Sequence, residues 1–267
     1  MKQYLSFFRI RFQAGLQYRT AAWAGIATQF AWGGMAILMF RSFYQNGANS
    51  FPMELQQLSS YLWMQQALLA MFMTWFYDED IFQAITSGSI AYELCRPCDL
   101  YTMWFVKNMA IRLSRVVLRC TPILIFAAFL PDPYGIRLPP DLISAALFPL
   151  SIVLGFGVLI AFSMLIYISA FYTVSANGIR ILASSVMEFL AGALIPIPFF
   201  PEWVQRILYA LPFASMQNTP FLIYVGHMEP VQALKSIALQ ALWFTILLLI
   251  GRVLIRKAQK KVVMQGG

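Results

Sequence analysis

Six long apolar stretches are the feature of this sequence that most restricts its fold. They lie at residues 22–40, 58–77, 101–130, 142–171, 179–195 and 236–255. A helix needs about 20 apolar residues to cross the roughly 30 Å hydrocarbon core of a bilayer. Since 60% of the 267 residues are hydrophobic and 11% are charged, the chain has too little polar surface for a soluble globule of this size. We therefore predict an all-α membrane protein with six transmembrane helices, folded as a single transmembrane domain over residues 1–267.

The first 21 residues mix basic and apolar side chains. The basic residues are Lys2, Arg9, Arg11 and Arg19, and aromatic and aliphatic residues lie between them. An amphipathic helix lying in the membrane interface would use both sets, and the alternative is an extension of the first transmembrane helix. No continuous apolar core followed by a cleavage site of small residues is present, so we expect no removable signal peptide.

Segment 78–100, DEDIFQAITSGSIAYELCRPCDL, lies between the second and third apolar stretches. Asp78 suits a helix N-cap, and the first turn would carry the acids Glu79 and Asp80. One helical face is apolar and consists of Ile81, Phe82 and Ile85, and Gly88 is a natural stop. The helix is too short to cross a bilayer. Its apolar face must therefore be buried by the undersides of neighbouring helices or by a soluble partner.

Charged side chains inside the apolar stretches are candidate functional residues. Arg112, Arg115 and Arg119 have the spacing i, i+3, i+7 and share one face of the third predicted helix. We expect them to reach the headgroups, to pair with acids or to line a wet cavity. Glu188 is the only acid deep in an apolar stretch. It is either a functional carboxylate or the structural partner of one of these arginines.

Two further regions carry polar groups or breaks at membrane depth. Gln65 and Gln66 form interhelical hydrogen bonds or line a substrate path. Residues 196–230 are apolar but contain five prolines, which are Pro196, Pro198, Pro201, Pro212 and Pro220. A straight helix does not tolerate so many breaks. We predict a re-entrant pair of short helices near 202–210 and 213–225.

The basic residues define the two sides of the membrane. Of the 19 lysines and arginines, 15 would lie on the side of the termini: Lys2, Arg9, Arg11, Arg19, Arg96, Lys107, Arg112, Arg115, Arg119, Arg180, Arg252, Arg256, Lys257, Lys260 and Lys261. Arg41, Arg137, Arg206 and Lys235 would lie opposite. The positive-inside rule makes the first side cytoplasmic. Segment 78–100 is then cytoplasmic and the proline-rich pair external, and the net charge of +8 needs no nucleic-acid partner.

The sequence lacks the groups that catalysis or metal binding requires. Cys95 and Cys98 form a C-x-x-C pair, but no thioredoxin-like context surrounds it, and two further zinc ligands are missing. His227 is the only histidine, so we expect no catalytic residue and no metal site. No G-x-x-x-x-G-K-[ST] motif is present, so any ATP hydrolysis would take place in a partner.

Two motifs resemble the permease subunits of type-2 ABC exporters. GSIAYELCRPCDLY is similar to the family's "G…L…RP" signature after the coupling helix, and LAGALIPIPFFPEWVQRILYALPF is similar to its "(S/A)G…IP…FP…LPF" signature in the external re-entrant region. The resemblance covers essentially the whole chain. It is strongest to the branch in which two related permeases accompany one separate ATPase. The cysteines that flank Arg96 and Pro97 depart from the family's pattern.

This resemblance implies a permease that moves a substrate out of the cytoplasm across the inner membrane of a bacterium. ATP and Mg²⁺ would bind to separate ATPase subunits, and a second permease, identical or related, would complete the transporter. The residues implied in ATPase coupling are Glu79, Asp80, Ile81, Phe82, Ile85, Gly88, Arg96 and Pro97. From their polar character at membrane depth, we predict that the substrate path includes Glu188, Gln65, Gln66, Arg115 and Arg119. The resemblance implies a gate that carries Pro196, Pro198, Pro201, Pro212 and Phe213. The alternative is a proton-coupled secondary transporter that uses Glu188.

Overall fold

The computed structural model describes residues 2–47, 51–173 and 176–260. In these ranges the regular structure is helical, without a β-strand. The helices are α1 (Lys2–Gly15), α2 (Arg19–Gly47), α3 (Leu55–Ala67), α4 (Leu69–Phe72), α5 (Glu79–Thr86), α6 (Ile90–Leu94), α7 (Leu100–Phe129), α8 (Leu142–Ser169), α9 (Ala176–Leu190), α10 (Glu202–Ala210), α11 (Asn218–Tyr224) and α12 (Pro230–Gln259). The predicted all-α class is confirmed for this part of the chain. Lys261 and residues 174–175 lie outside it.

In the described ranges, three helices are long and apolar enough to cross a membrane. They are Arg19–Gln45, Leu142–Ser169 and Pro230–Gln259, which correspond to the first, fourth and sixth predicted spans. Helix α7 has 30 residues and is about 45 Å long at 1.5 Å per residue, but its first part carries four basic side chains. The six-span topology stays a prediction.

The second predicted span, residues 58–77, is not one continuous helix. Helix α3 ends at Ala67, the backbone leaves the helical path at Leu68, and α4 ends at Phe72. Most of α3 is nevertheless buried by the rest of the chain, and Leu58 and Tyr61 are fully inaccessible. Non-helical backbone at membrane depth needs hydrogen-bond partners from the protein. The carbonyl groups after α4 must therefore be satisfied by neighbouring helices.

Helix α8 is the centre of the packing, with α7, α11 and α12 against it. A Cβ atom at Gly155 would lie 2.2 Å from the carbonyl oxygen of Met216, so only glycine permits this contact between α8 and the backbone before α11. Small residues at such contacts are typical of membrane helices, whose association depends on close packing because lipid is as apolar as the helix surface. The proline-rich segment 196–230 therefore packs directly on α8.

Helix α1 lies along α7. Its Tyr4 hydroxyl accepts a hydrogen bond of 2.8 Å from the backbone N–H of Asp99, and its last residue, Gly15, packs against the side chain of Ser114. A turn at residues 16–18 separates α1 from α2. Helix α1 is thus a separate element and not an extension of the first predicted span, while its interfacial position stays a prediction.

Candidate functional site

Segment 78–100 contains two short helices, α5 and α6, separated by Gly88. Asp78 is the N-cap of α5, where its carboxylate accepts a hydrogen bond of 3.0 Å from the N–H of Asp80. Gly88 has φ of +73°, in the left-handed region that glycine adopts without steric cost. The predicted N-cap and stop are both confirmed.

The apolar face of α5 packs on its own chain. Ile81 is 2% exposed and Phe82 is 5% exposed. The Phe82 ring lies 5.0 Å from that of Tyr167 on α8 and 6.1 Å from that of Tyr77, measured between centroids, and the guanidinium of Arg180 lies over it. The apolar face of α5 was predicted to be buried by neighbouring helices or by a soluble partner, and the structure shows the first of these. Neither Ile81 nor Phe82 is accessible to a soluble partner, so any part they have in coupling passes through the packing of α5.

The acids at the start of α5 form ion pairs with α7 and α9. The Nζ atom of Lys107 lies 2.7 Å from Oδ2 of Asp78 and 3.1 Å from Oδ2 of Asp80. Glu79 pairs with Arg180 of α9. Lys107 and Asp78 are both buried, and separating a buried pair leaves an uncompensated charge. A displacement of α5 must therefore move α7 with it or break this pair.

The opposite face of segment 78–100 is open. Its exposed side chains include Gln83, Thr86, Ser87, Tyr92, Arg96 and Pro97, and Tyr92 is 78% exposed. Helix α6 is fixed behind this face, because Ile90 is buried and the indole N–H of Trp104 on α7 donates to Glu93 at 2.8 Å. The exposed side chains therefore belong to a segment that is held against α7.

Arg112 is fully buried and holds the irregular backbone after α4. Its guanidinium donates to the carbonyl oxygens of Met71, Met73 and Phe76 at 3.1, 2.7 and 2.8 Å. Its Nε atom donates to Oδ1 of Asn108 at 3.1 Å. Among the described residues, the Arg112 cation neither reaches the surface nor pairs with an acid, so the first two predicted roles do not describe it. Its guanidinium faces backbone carbonyl groups. Arg112 instead replaces the missing hydrogen bonds of an interrupted helix.

The hydroxyl group of Tyr167 connects Arg112 and its hydrogen-bond partner Asn108 to segment 78–100. It accepts hydrogen bonds from the backbone N–H of Asp78 at 2.7 Å and from Nδ2 of Asn108 at 2.9 Å. Asn108 in turn accepts from Arg112. One buried network therefore joins the start of α5 to α7 and α8.

Glu188 lines a cavity beside this network. The cavity has a volume of about 480 Å³ and lies between α9 and residues 73–79. Its wall includes the aromatic residues Trp75, Phe76 and Tyr77 and the charged residues Glu79, Arg115, Arg180 and Glu188. The guanidinium of Arg115 lies 3.9 Å from the ring centroid of Phe76. Among the described residues, no ion pair involves Glu188, so the structure does not contain the predicted pair with an α7 arginine.

Gln65 and Gln66 occupy different environments. Gln65 donates from Nε2 to the carbonyl oxygen of Ala193, which lies in the turn after α9, so the bond joins α3 to a turn and is not interhelical. Gln66 is half-buried, and its Oε1 atom has no hydrogen-bond partner. Gln65 therefore makes a structural contact. Among the described residues, the side-chain oxygen of Gln66 has no hydrogen-bond donor.

The proline-rich segment 196–230 contacts α3 and α8. Oδ1 of Asn218 accepts from the Tyr61 hydroxyl at 3.0 Å and from the N–H of Ile197 at 3.2 Å. Phe213 contacts Phe162 of α8, with ring centroids 5.2 Å apart. Pro196, Pro198 and Pro212 are buried and Pro201 is exposed. The proline-rich segment is thus packed into the helical body on one side, and its role as a gate stays a prediction.

The cysteines and the histidine are not gathered into a site. Cys95, Cys98 and Cys120 are free thiols, and no group of three or more histidine, cysteine, aspartate or glutamate residues in the described ranges is placed to hold a metal ion. Burial lowers the pKa of His227, so its ring is uncharged at neutral pH.

Four residues that connect the helices were not predicted from the sequence: Lys107, Asn108, Tyr167 and Asn218. Each is a polar or amphipathic side chain within or next to an apolar stretch, and such residues usually find a partner when buried. That signal identifies the residues but not their partners, because the contacts join positions from 27 to 157 residues apart.

The comparison with family models matches residues 30–266 to the ABC-2 family transporter protein. This range includes segment 78–100, the cavity that Glu188 lines and the proline-rich segment 196–230. No curated protein matches the chain. The match covers most of the sequence and agrees with both motifs of the resemblance. The chain belongs to the ABC-2 transporter family, whose members are membrane permease components that associate with an ATPase.

Proposed function

We propose that this chain is the permease subunit of an ATP-driven exporter with six transmembrane spans, formed by α2, α3 with α4, α7, α8, α9 and α12. The observation that carries the proposal is the construction of segment 78–100. One face is anchored by the buried ion pair between Lys107 and Asp78 and by rings of the same chain, and the other presents polar side chains and Tyr92 to the solvent. Such a surface suits contact with a separate soluble subunit that binds ATP and Mg²⁺.

In this proposal the ATPase contacts the exposed face, which includes Tyr92 and Arg96, and moves α5 when it closes on ATP. Lys107 and Arg180 pass the movement to α7 and α9 through their ion pairs with the acids of α5. Tyr167 passes it to α8. Glu79, Asp80, Ile81, Phe82, Ile85 and Gly88 act by keeping α5 in place.

The substrate enters at the cavity that Glu188 lines and leaves past the proline-rich segment 196–230, on the external side. Of the charged residues that line this cavity, Glu79 is paired with Arg180, and Arg115 lies on the Phe76 ring. Among the described residues, Glu188 has neither an ionic nor an aromatic partner. Aromatic walls and one unpaired carboxylate suit an amphipathic organic cation. Gln66 and Phe213 are further residues that we assign to the substrate path.

The complete transporter contains two permeases, as the two-fold arrangement of an ATPase pair requires. Helices α2 and α9 have exposed apolar faces that include Trp32, Met35, Leu182 and Phe189. These faces contact either lipid or the second permease. The membrane is the cytoplasmic membrane of a bacterium with both termini in the cytoplasm, which is supported by the distribution of lysine and arginine.

Affinity purification from the native membrane tests the coupling step. We expect a P-loop ATPase to co-purify with the wild-type chain and to be lost from the Arg96→Glu variant. Arg256→Glu is the matched control, because Arg256 is also exposed, lies on the same predicted side and belongs to α12. Mass spectrometry of the purified material would also identify a second permease.

Recovery of equal amounts of ATPase with wild type, Arg96→Glu and Tyr92→Ala would contradict a contact at this face. A chain that purifies without any ATPase would instead favour the proton-coupled alternative. Its supporting observation is the lack of an ion pair at Glu188 among the described residues. In that case, uptake driven by an imposed pH gradient and abolished by Glu188→Gln would establish the alternative.

A further inference from the structure

A second cavity of about 480 Å³ lies where α1 turns into α2 against α7. We call it the basic cavity. It is lined by Arg11, Ala14, Gly15, Tyr18, Ala21, Ala22, Ile111, Arg115, Leu118 and Arg119. Three of these residues are arginines and none is an acid. The basic cavity therefore has a strongly positive wall.

The three arginines have no carboxylate partner among the described residues. Arg11 and Arg115 lie over phenylalanine rings. Arg119 makes one long hydrogen bond of 3.4 Å to the carbonyl oxygen of Ala21, and its buried Nε atom has no partner. Three guanidinium groups around one space repel each other, and they remain there at a cost unless an anion joins them.

The backbone of α2 is shaped to hold Arg119 in this position. A Cβ atom at Gly25 would lie 2.5 Å from Cζ of Arg119. The absence of a side chain at Gly25 thus lets the guanidinium lie directly on α2. Any residue larger than glycine would displace the guanidinium from the wall of the basic cavity.

The level of the basic cavity along α2 corresponds to a membrane boundary. Ala22 begins the first predicted span, and two aromatic side chains next to it, Tyr18 and Trp23, are 72% and 68% exposed. Exposed tyrosine and tryptophan at the start of an apolar helix are typical of the headgroup level of a bilayer. Ile111 and Leu118 of α7 also line the cavity and provide apolar surface for an acyl chain.

We propose that the basic cavity binds the phosphate group of an anionic phospholipid, with its acyl chains along α2 and α7. The planar guanidinium groups of Arg115 and Arg119 match phosphate oxygens, with which arginine forms paired, charge-assisted hydrogen bonds. A volume of this size is within the usual range for small-ligand sites, about 300–1,000 Å³. The bound lipid would hold α1 and α2 against α7. The site shares Arg115 with the cavity that Glu188 lines, whereas Arg119 lines the basic cavity and not the other, so Arg119 is the residue whose loss tests the lipid site.

Binding of short-chain phosphatidylglycerol to the purified full chain in a neutral detergent tests the proposal. We expect Arg119→Gln to weaken binding about tenfold, as the loss of one charge-assisted hydrogen bond requires. Gly25→Ala keeps every charge and should weaken binding in the same direction, because it displaces the guanidinium. Arg256→Gln is the control: it removes one exposed positive charge outside the cavity and should leave the affinity unchanged.

Phosphatidylcholine with the same acyl chains and inorganic phosphate are the comparison probes. Phosphatidylcholine should bind at least about tenfold more weakly, because its headgroup has no net charge. Equal affinities for the two lipids, or for wild type and Arg119→Gln, would overturn the proposal. If inorganic phosphate competed at concentrations similar to those of the lipid, the cavity would be a site for free anions and its assignment to lipid would be wrong.

Discussion

Replacing Arg112 by methionine is expected to destabilise the chain more than any other single loss of an arginine in α7. The guanidinium of Arg112 donates to three backbone carbonyl groups after α4 and to Asn108. Methionine fills much of the same volume without a donor. The substitution therefore isolates the hydrogen bonds from the packing.

The size of the effect follows from the groups left unpaired. A buried acceptor that loses its partner costs about 1–3 kcal/mol, so three carbonyl groups give about 3–9 kcal/mol. Removing the buried cation also removes its desolvation penalty, which is several kcal/mol. We therefore expect a net loss of about 3 kcal/mol, near the lower end of that range.

The free energy of unfolding, measured by titration with sodium dodecyl sulfate and followed by tryptophan fluorescence, checks this value. Arg115→Met is the matched control, since Arg115 lies one turn farther along α7 and its guanidinium stacks on Phe76. A cation–π contact of this kind contributes about 1 kcal/mol. Equal losses for the two variants would refute the conclusion that Arg112 stabilises the interrupted helix.

Two further substitutions probe the cavity and the packing. Glu188→Gln should reduce export of an organic cation about tenfold relative to a neutral analogue of the same shape, since it removes one charge contact; equal effects in a vesicle transport assay would indicate a structural carboxylate. Gly155→Ala should cost about 1–3 kcal/mol of unfolding free energy, because its Cβ atom would overlap the carbonyl oxygen of Met216. Gly34→Ala is its control: a Cβ there meets no atom within 4 Å, so it should be neutral or stabilising by up to about 1 kcal/mol.

Local signals in the sequence predict the short elements well. The N-cap at Asp78, the stop at Gly88 and the position of α10 all depend on residues that are close together in the chain. Helix α11 lies within the predicted range 213–225 but begins later, at Asn218. Capping groups, glycine at positive φ and proline breaks act within a few residues. These features can be predicted without knowledge of the tertiary fold.

The break after α3 could not be predicted in this way. Residues 58–77 are predominantly apolar and have no proline or glycine, so hydropathy predicts a single helix. The helix is interrupted because Arg112, more than 30 residues later, supplies donors for the carbonyl groups that are released. The same long-range dependence explains the error for Arg112 itself, whose spacing with Arg115 and Arg119 predicted a common environment for all three.

The polar character of the links around segment 78–100 has a mechanical consequence. In a membrane, an apolar contact between helices exchanges for a contact with lipid at little cost, whereas a buried ion pair or hydrogen bond has no such replacement. Lys107 and Tyr167 join α5 to α7 and α8 by contacts of the second kind. A displacement of α5 is therefore transmitted to these helices and not lost by slipping along them. Segment 78–100 thus combines an accessible surface with a firm connection, as a coupling element between a soluble motor and a membrane path requires.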